Sequence, residues 1–435
     1  MNREILKLAV PSILATITVP LVGMVDVAIA GRLGSESMIA AIAIGTMFFD
    51  LIYWNMGFLR AGTAGLTAQA YGRNDSKEMI RYFVQGAVTA LGMALLILLI
   101  QGIFIELAFH LVRTSAQSEA YVKEYFFIRI WAAPATLMLF VFRGWFLGMQ
   151  NTIYTMILDI WVNVVNLVAS VLLAFNAGLG IAGIAYGTLV AQYSGLILAI
   201  RLFTKYRHLF KYISLKASAK LKDLKKFFSV NRDLFIRSIC FLCVYTGFTS
   251  LSSQYGDTLV AVSNIMMKIA LLYSYLVDGF AYAAEAIVGK YVGAQDENSL
   301  KKAVRLLFVW CLSIAAVSTV VYVTSDEWLI RLMTNNEDVI NAARPFFGWL
   351  YIIPLISCIA FTWDGIYIGA TASKAVRNCM ILSATTFFLG YFLTVKFIGP
   401  QALWVGFCAH LVVRSIYMTV AAKRNIFKEG VRSDI

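Results

Sequence analysis

Residues 83–105, FVQGAVTALGMALLILLIQGIFI, contain no Asp, Glu, Lys or Arg. About 20 residues of helix cross a hydrocarbon core, so an uncharged apolar run of this length reads as a membrane span. Comparable runs recur along the chain, which is 60% hydrophobic and 14% charged; soluble domains average roughly 45–50% and about 25%. Lipid offers the backbone no hydrogen bonds, so a span is either a helix or part of a closed barrel. A barrel needs segments of about 10 alternating residues, and the runs here do not alternate. The chain therefore reads as an all-α integral membrane protein.

Apolar runs between polar breaks predict twelve transmembrane helices, at 7–31, 37–70, 80–107, 119–147, 152–176, 180–202, 229–255, 258–292, 301–324, 338–369, 375–397 and 401–422. The runs 37–70 and 258–292 are overlong, which predicts projection beyond the bilayer or tilt. The start, MNREILKLAVPSILATITVPLVGMV, lacks the short apolar core and small-residue cleavage site of a signal peptide, and is expected to be a retained first span.

The net charge of +13 is informative by location, because Lys and Arg beside spans set orientation. Between the sixth and seventh spans lie Lys205, Arg207, Lys211, Lys216, Lys220, Lys222, Lys225 and Lys226 against Asp223 alone. That side is expected to be cytoplasmic, as are Arg73, Lys77 and Arg81, the Lys301–Arg305 region, and both termini. The opposite loop around Asp326, Glu327, Glu337 and Asp338 is acidic. Basic charge so placed fits topology and contact with anionic membrane lipids; no aromatic-basic motif points to nucleic acid.

Three features repeat at one spacing. Gly144 and Gly148 in GWFLG correspond to Gly365 and Gly369 in GIYIG, 221 residues on; Gly72 in AYGRND corresponds to Gly293 in YVGAQD, again by 221; Gly57 corresponds to Gly279 by 222. The pattern predicts two pseudo-symmetric six-helix lobes related as a parallel repeat, with a central cavity opened alternately to each side. The expected division is 1–202, an N-terminal lobe; 203–228, a basic cytoplasmic linker; 229–422, a C-terminal lobe; and 423–435, a cytoplasmic tail. Transport is the function such a plan suits best.

Ionisable residues inside spans cost roughly 2.5–3.5 kcal/mol each on insertion scales and are functional candidates by default. Asp26 lies in the first span with no cation nearby in sequence. Low-dielectric burial disfavours a charged carboxylate, so Asp26 is suited to loading and releasing a proton, or else is a packing contact held by hydroxyls and amides. In the fifth span Asp159, Asn163 and Asn166 share one helix face, which Ser170 extends. Asp159 either takes a direct part or is solvated at a span end. Arg60 is a counter-ion or snorkels to an interface. Asp278, Glu285 and Asp364, with Lys268 nearby, form structural pairs or a second cation-sensitive site.

Enzymatic signals are poor. His110, His208 and His410 stand outside any metal or nucleophile motif, and Cys240 and Cys243 have no second pair at zinc spacing. No enzyme activity, metal or resident cofactor is expected. The coupling ion would be the proton, with sodium the alternative.

VDVAIAGRLG, GTAGLTAQAYG, RGWFLGMQNT, DGFAYAAEAIVGKYVGA and DGIYIGATASKAVRN together resemble the multidrug and toxic compound extrusion (MATE) family, and NRDLFIR at 231–237 its DinF-type branch. The resemblance spans nearly the whole chain. It implies efflux of small, amphipathic, often cationic compounds against an inward proton or sodium gradient. The lack of targeting signals and of many disulfides suits a multi-pass protein of a bacterial inner membrane, and a monomer is expected. The resemblance also implies that Asp26 is the coupling residue, with Asn166 and Thr188 among its polar surroundings. Members often read N-x-x-L-D in the fifth span; here the stretch Asn166 to Ser170 lacks that second carboxylate, which weakens a two-aspartate or sodium site. A flippase for lipid-linked sugars is the rival transporter reading. It requires basic residues to hold pyrophosphate, and the in-span ones are few, chiefly Arg60, Arg143, Arg237 and Lys268. A scaffold needs neither repeat nor buried carboxylates.

Overall fold

The computed structural model describes residues 1–32, 36–112, 114–213 and 221–427; the side chains of 19–28, 30, 31, 36, 111 and 221–224 lie outside the described residues. Helix dominates, and no strand occurs among the described residues. Eleven described stretches are long and apolar enough to cross a membrane. Preceding them is α1, Asn2–Arg32, which covers the remaining expected span.

The overlong 37–70 run is not one continuous helix. It forms α2 (Glu36–Asn55) and α3 (Phe58–Gly72), separated by a turn at Met56 and Gly57 whose amides bond to the carbonyls of Tyr53 and Trp54. Next come α4 (Ser76–Leu111), α5 (Ala116–Arg129), α6 (Ala133–Gly148), α7 (Thr152–Val171) and α8 (Gly180–Phe203). The second half has α9 (Leu221–Ser252), α10 (Asp257–Ala294), α11 (Glu297–Arg331), short α12 (Glu337–Ala343), α13 (Phe347–Gly369), α14 (Ser373–Ile398) and α15 (Gln401–Asn425). The long 258–292 run is thus a single helix, α10. Part of the basic linker is ordered as a 3-10 helix, Thr204–Tyr212.

The chain packs as two compact units, residues 14–227 and residues 1–13 with 228–435. Each reproduces the 221-residue repeat in backbone detail. Asn74 (φ 56°) and Gln295 (φ 57°) hold the same left-handed turn, and each is followed by an aspartate, Asp75 or Asp296, whose carboxylate caps the next helix. Gln150 (φ 61°) and Thr371 (φ 54°) form a second matched turn. A β-branched residue there is uncommon; Thr371 is kept by the turn's own hydrogen bonds, its amide donating to the Ile368 carbonyl and Ala372's to Tyr367.

The paired glycine motifs explain the tightest helix seams. A Cβ on Gly144 would sit 2.3 Å from the Arg60 carbonyl oxygen, and on Gly365 2.3 Å from that of Ala281. Gly148 and Gly369 meet α3 and α10 in the same way, against the carbonyls of Ala64 and Glu285. Small residues let helix backbones approach where lipid supplies no hydrophobic drive.

Within the second unit, the start of α1 is clasped by α10. Gly279 leaves room for Ile13 and Ala9, while Glu4 accepts bonds from Lys290 Nζ (2.7 Å) and the Tyr291 hydroxyl (3.1 Å). Burial alone would raise the Glu4 carboxyl, but Lys290 and Tyr291 outweigh it and hold the group below the ordinary carboxylate range. A lowered folded value stabilises above the unfolded pKa, about 4.3, and that contribution is lost as pH falls through the folded value. Thermal melts in detergent are therefore expected to show a drop below about pH 4 that is smaller in Glu4→Gln. Equal drops in both proteins would remove Glu4 from the account.

Candidate functional site

One face of α7 carries a ladder of polar contacts inside the unit 14–227. At its foot, Asn151 caps the helix by accepting from the Tyr154 amide and donates to the Tyr206 hydroxyl at 3.1 Å. Two turns on, Asp159 Oδ1 lies 2.6 Å from Arg143 Nε of α6, with Arg60 also in electrostatic reach. Asn163 Nδ2 then donates to Thr18 Oγ1 of α1 at 2.7 Å, and Asn166 Nδ2 to Thr188 Oγ1 of α8 at 3.0 Å.

The orientation of the Asn166 amide follows from its partner. Thr188 directs its own hydroxyl hydrogen to the Ile184 carbonyl at 3.3 Å, so its oxygen is left to accept and the amide must donate. Asn166 Oδ1 is thereby an acceptor with no partner among the described residues, in a side chain only 4% exposed. Ser170, fully buried one turn on, is likewise unpartnered at Oγ, and Gly187 packs so close that a Cβ there would lie 2.3 Å from that oxygen. Buried polar atoms of this kind are few in folded proteins and call for an explanation.

Of the residues singled out in sequence, Asn163, Asn166, Ser170, Thr188 and Asp159 thus fall on one ladder or its partners. Asp26 lies in α1 two turns beyond Thr18, with its side chain outside the described residues. Thr18 itself carried no sequence signal, because a single hydroxyl in an apolar helix usually bonds back to its own backbone, as Thr18 also does to Ala15.

The other unit holds a different arrangement. Asp364 Oδ2 accepts from Arg237 Nη2 at 2.7 Å and from Arg414 Nη2. Arg414 is fully buried, with its guanidinium 5.3 Å from the Phe361 ring centroid. Asp364 is therefore ion-paired, and the sequence reading, which placed Lys268 near these carboxylates, missed Arg414. Lys268 is exposed. Glu285 is buried and Asp278 half-buried on α10. A further buried carboxylate, Asp233 in NRDLFIR, accepts from Arg377 (2.8 Å) and Ser373 (3.0 Å).

Among the described residues, no group of three or more His, Cys, Asp and Glu side chains could hold a metal ion.

The MatE family matches residues 11–172 and again 234–394, one copy in each half. "DNA damage-inducible protein F" of Escherichia coli (strain K12) is 32% identical over 426 residues, covering 98% of this chain and 92% of that protein. "Multidrug and toxin extrusion protein 1" of Homo sapiens is 23% identical, covering 96% of this chain and 73% of that one. Among solved structures, a crystal structure of MATE in the bent conformation superposes with a TM-score of 0.89 at 18% identity, covering 98% of this chain and 95% of the other. The chain is a multi-pass integral membrane protein and not an enzyme, and it belongs to the MatE family of multidrug efflux transporters.

Proposed function

We propose that the protein is a proton-coupled antiporter that exports small amphipathic, often cationic compounds by alternating access, with Asp26 as the coupling carboxylate. The observation that carries this reading is the unpartnered pair on α7. Asn166 Oδ1 can only accept, which suits the O–H of a protonated carboxyl; the Ser170 hydroxyl can donate, which suits a carboxylate. A group that alternates between those two forms would be served by both atoms in turn, and Asp26 on the helix that Asn163 touches is the candidate. Ionised, Asp26 favours a bound cation; protonated, it loses that attraction, repacks α1 against Asn163, Asn166 and Thr188, and releases the substrate outward.

Sodium coupling is disfavoured because Asp364 already carries two guanidiniums, which leaves its charge unavailable to a free cation. The flippase alternative is disfavoured for a related reason: Arg143, Arg237 and Arg414 are each committed to a carboxylate. The protein is further read as a monomer of a bacterial inner membrane, in contact with membrane lipids, with both termini cytoplasmic.

The test is efflux of a fluorescent lipophilic cation from proteoliposomes under an imposed pH gradient, then under a sodium gradient at constant pH. Export driven by the pH gradient alone is the expected result. Export driven only by sodium would overturn the reading.

A further inference from the structure

We infer that the Arg143–Asp159 ion pair is a positioning clamp that fixes the rotation of α7, and so aims Asn163, Asn166 and Ser170 at their partners. The inference rests on the proton-coupling reading, because it is the coupling face that the clamp would aim.

The outer face of α7 gives its rotational position no support, whereas Leu158, Val162, Asn166 and Ser170 are buried on the inner one. Trp161, Val164, Leu167 and Val168 are exposed on its outer face, where lipid tails are as apolar as the side chains they meet. Successive residues are about 100° apart on a helix, so a turn by one position would carry Asn166 away from Thr188 and Asn163 away from Thr18. A charged contact in a low-dielectric setting resists such a turn, since parting the pair strands both charges.

Arg143 is a firm base for this contact. It immediately precedes Gly144, the residue whose missing Cβ lets α6 seat on the Arg60 carbonyl, so the backbone carrying the guanidinium cannot shift without opening the α3–α6 seam. The charged groups acting on Asp159 are Arg143 from α6 and Arg60 from α3, both positive. The repeat uses the same position twice. Asp364, 221 residues on, precedes Gly365 in the equivalent seam and is likewise ion-paired, with the sign reversed. Two halves that differ in charge at this point yet each anchor a neighbouring helix there point to anchoring, not to a conserved charge type, as the role of the position.

The alternative is that Asp159 itself carries the proton onward. Exchange of the two charges separates the readings, because a clamp works with either polarity and a relay needs the carboxylate at 159. Asp159→Asn and Arg143→Gln are each expected to reduce pH-gradient-driven export by about 10–100-fold, the scale on which small displacements of working groups act. The exchanged pair Arg143→Asp with Asp159→Arg is expected to regain most of it, with the wild-type pH profile. If the exchanged protein inserts poorly, the neutral pair Arg143→Gln with Asp159→Asn, whose amides can bond each other, takes its place with the same expectation. A correctly inserted pair that stays inactive overturns the clamp, as do single variants that export like wild type. Asp26→Asn is measured alongside: normal export there removes the proton-coupling reading, whereas loss there with no effect at 143 or 159 removes the clamp alone.

Discussion

Asp26→Asn is expected to collapse the substrate gradient that a pH gradient can build. One-for-one exchange of a proton for a monovalent cation is electroneutral, so each pH unit supports a concentration ratio of about tenfold. The variant is expected to hold that ratio near one. Asn preserves the shape of the aspartate and, like a protonated carboxyl, is uncharged and can donate a hydrogen bond, so under the proposed mechanism the variant mimics the protonated form permanently. It should therefore insert and melt like wild type while binding cationic substrate more weakly. Reconstituted protein with a dye ratio clamped by known pH steps gives the answer directly. A tenfold ratio in the variant would place the coupling group elsewhere. A ratio near one with lowered thermal stability would show that Asp26 is a packing residue instead.

Much of the architecture was legible because membranes impose a coarse code. Uncharged runs such as 83–105 have one reading in lipid, and the glycine spacing of 221 residues exposed the repeat, since close backbone approach leaves few substitutes for glycine at positions 144 and 365. The break at Met56 and Gly57 was not legible, because a turn between two apolar helices needs no polar residue. At the site, the i, i+4, i+7 spacing of Asp159, Asn163 and Asn166 correctly placed three side chains on one face, but their partners come from α1, α6 and α8 and have no sequence relation to α7. The Asp159 contact in particular depends on Arg143, which in sequence is one more basic residue in a span. Arg414 was missed for a similar reason. Fifty residues separate it from Asp364, and nothing local to either marks the pair.

The buried cluster around Asp364 supplies the largest expected effect on stability, and its pattern across variants separates a structural role from a cation site. Asp364→Asn removes the one carboxylate that both Arg237 and Arg414 share. Arg414 is fully buried beside Phe361 and Phe241, so it cannot recover water; stranding a buried charge in this way costs roughly 3–5 kcal/mol. Arg414→Met is expected to cost much less, because a flexible apolar side chain suits the aromatic surroundings and Asp364 keeps Arg237, whose side chain is 24% exposed. The double variant should fall between the two, since removing Arg414 relieves the stranded charge that Asp364→Asn alone creates. Melting of detergent-solubilised protein is the measurement, and the expected order of stability is wild type, Arg414→Met, the double variant, then Asp364→Asn. If Asp364 instead bound a cation, Asp364→Asn would impair transport with little loss of stability, and removing Arg414 would strengthen cation dependence. An Asp364→Asn protein as stable as wild type would therefore reopen the sodium reading that the two guanidiniums now argue against.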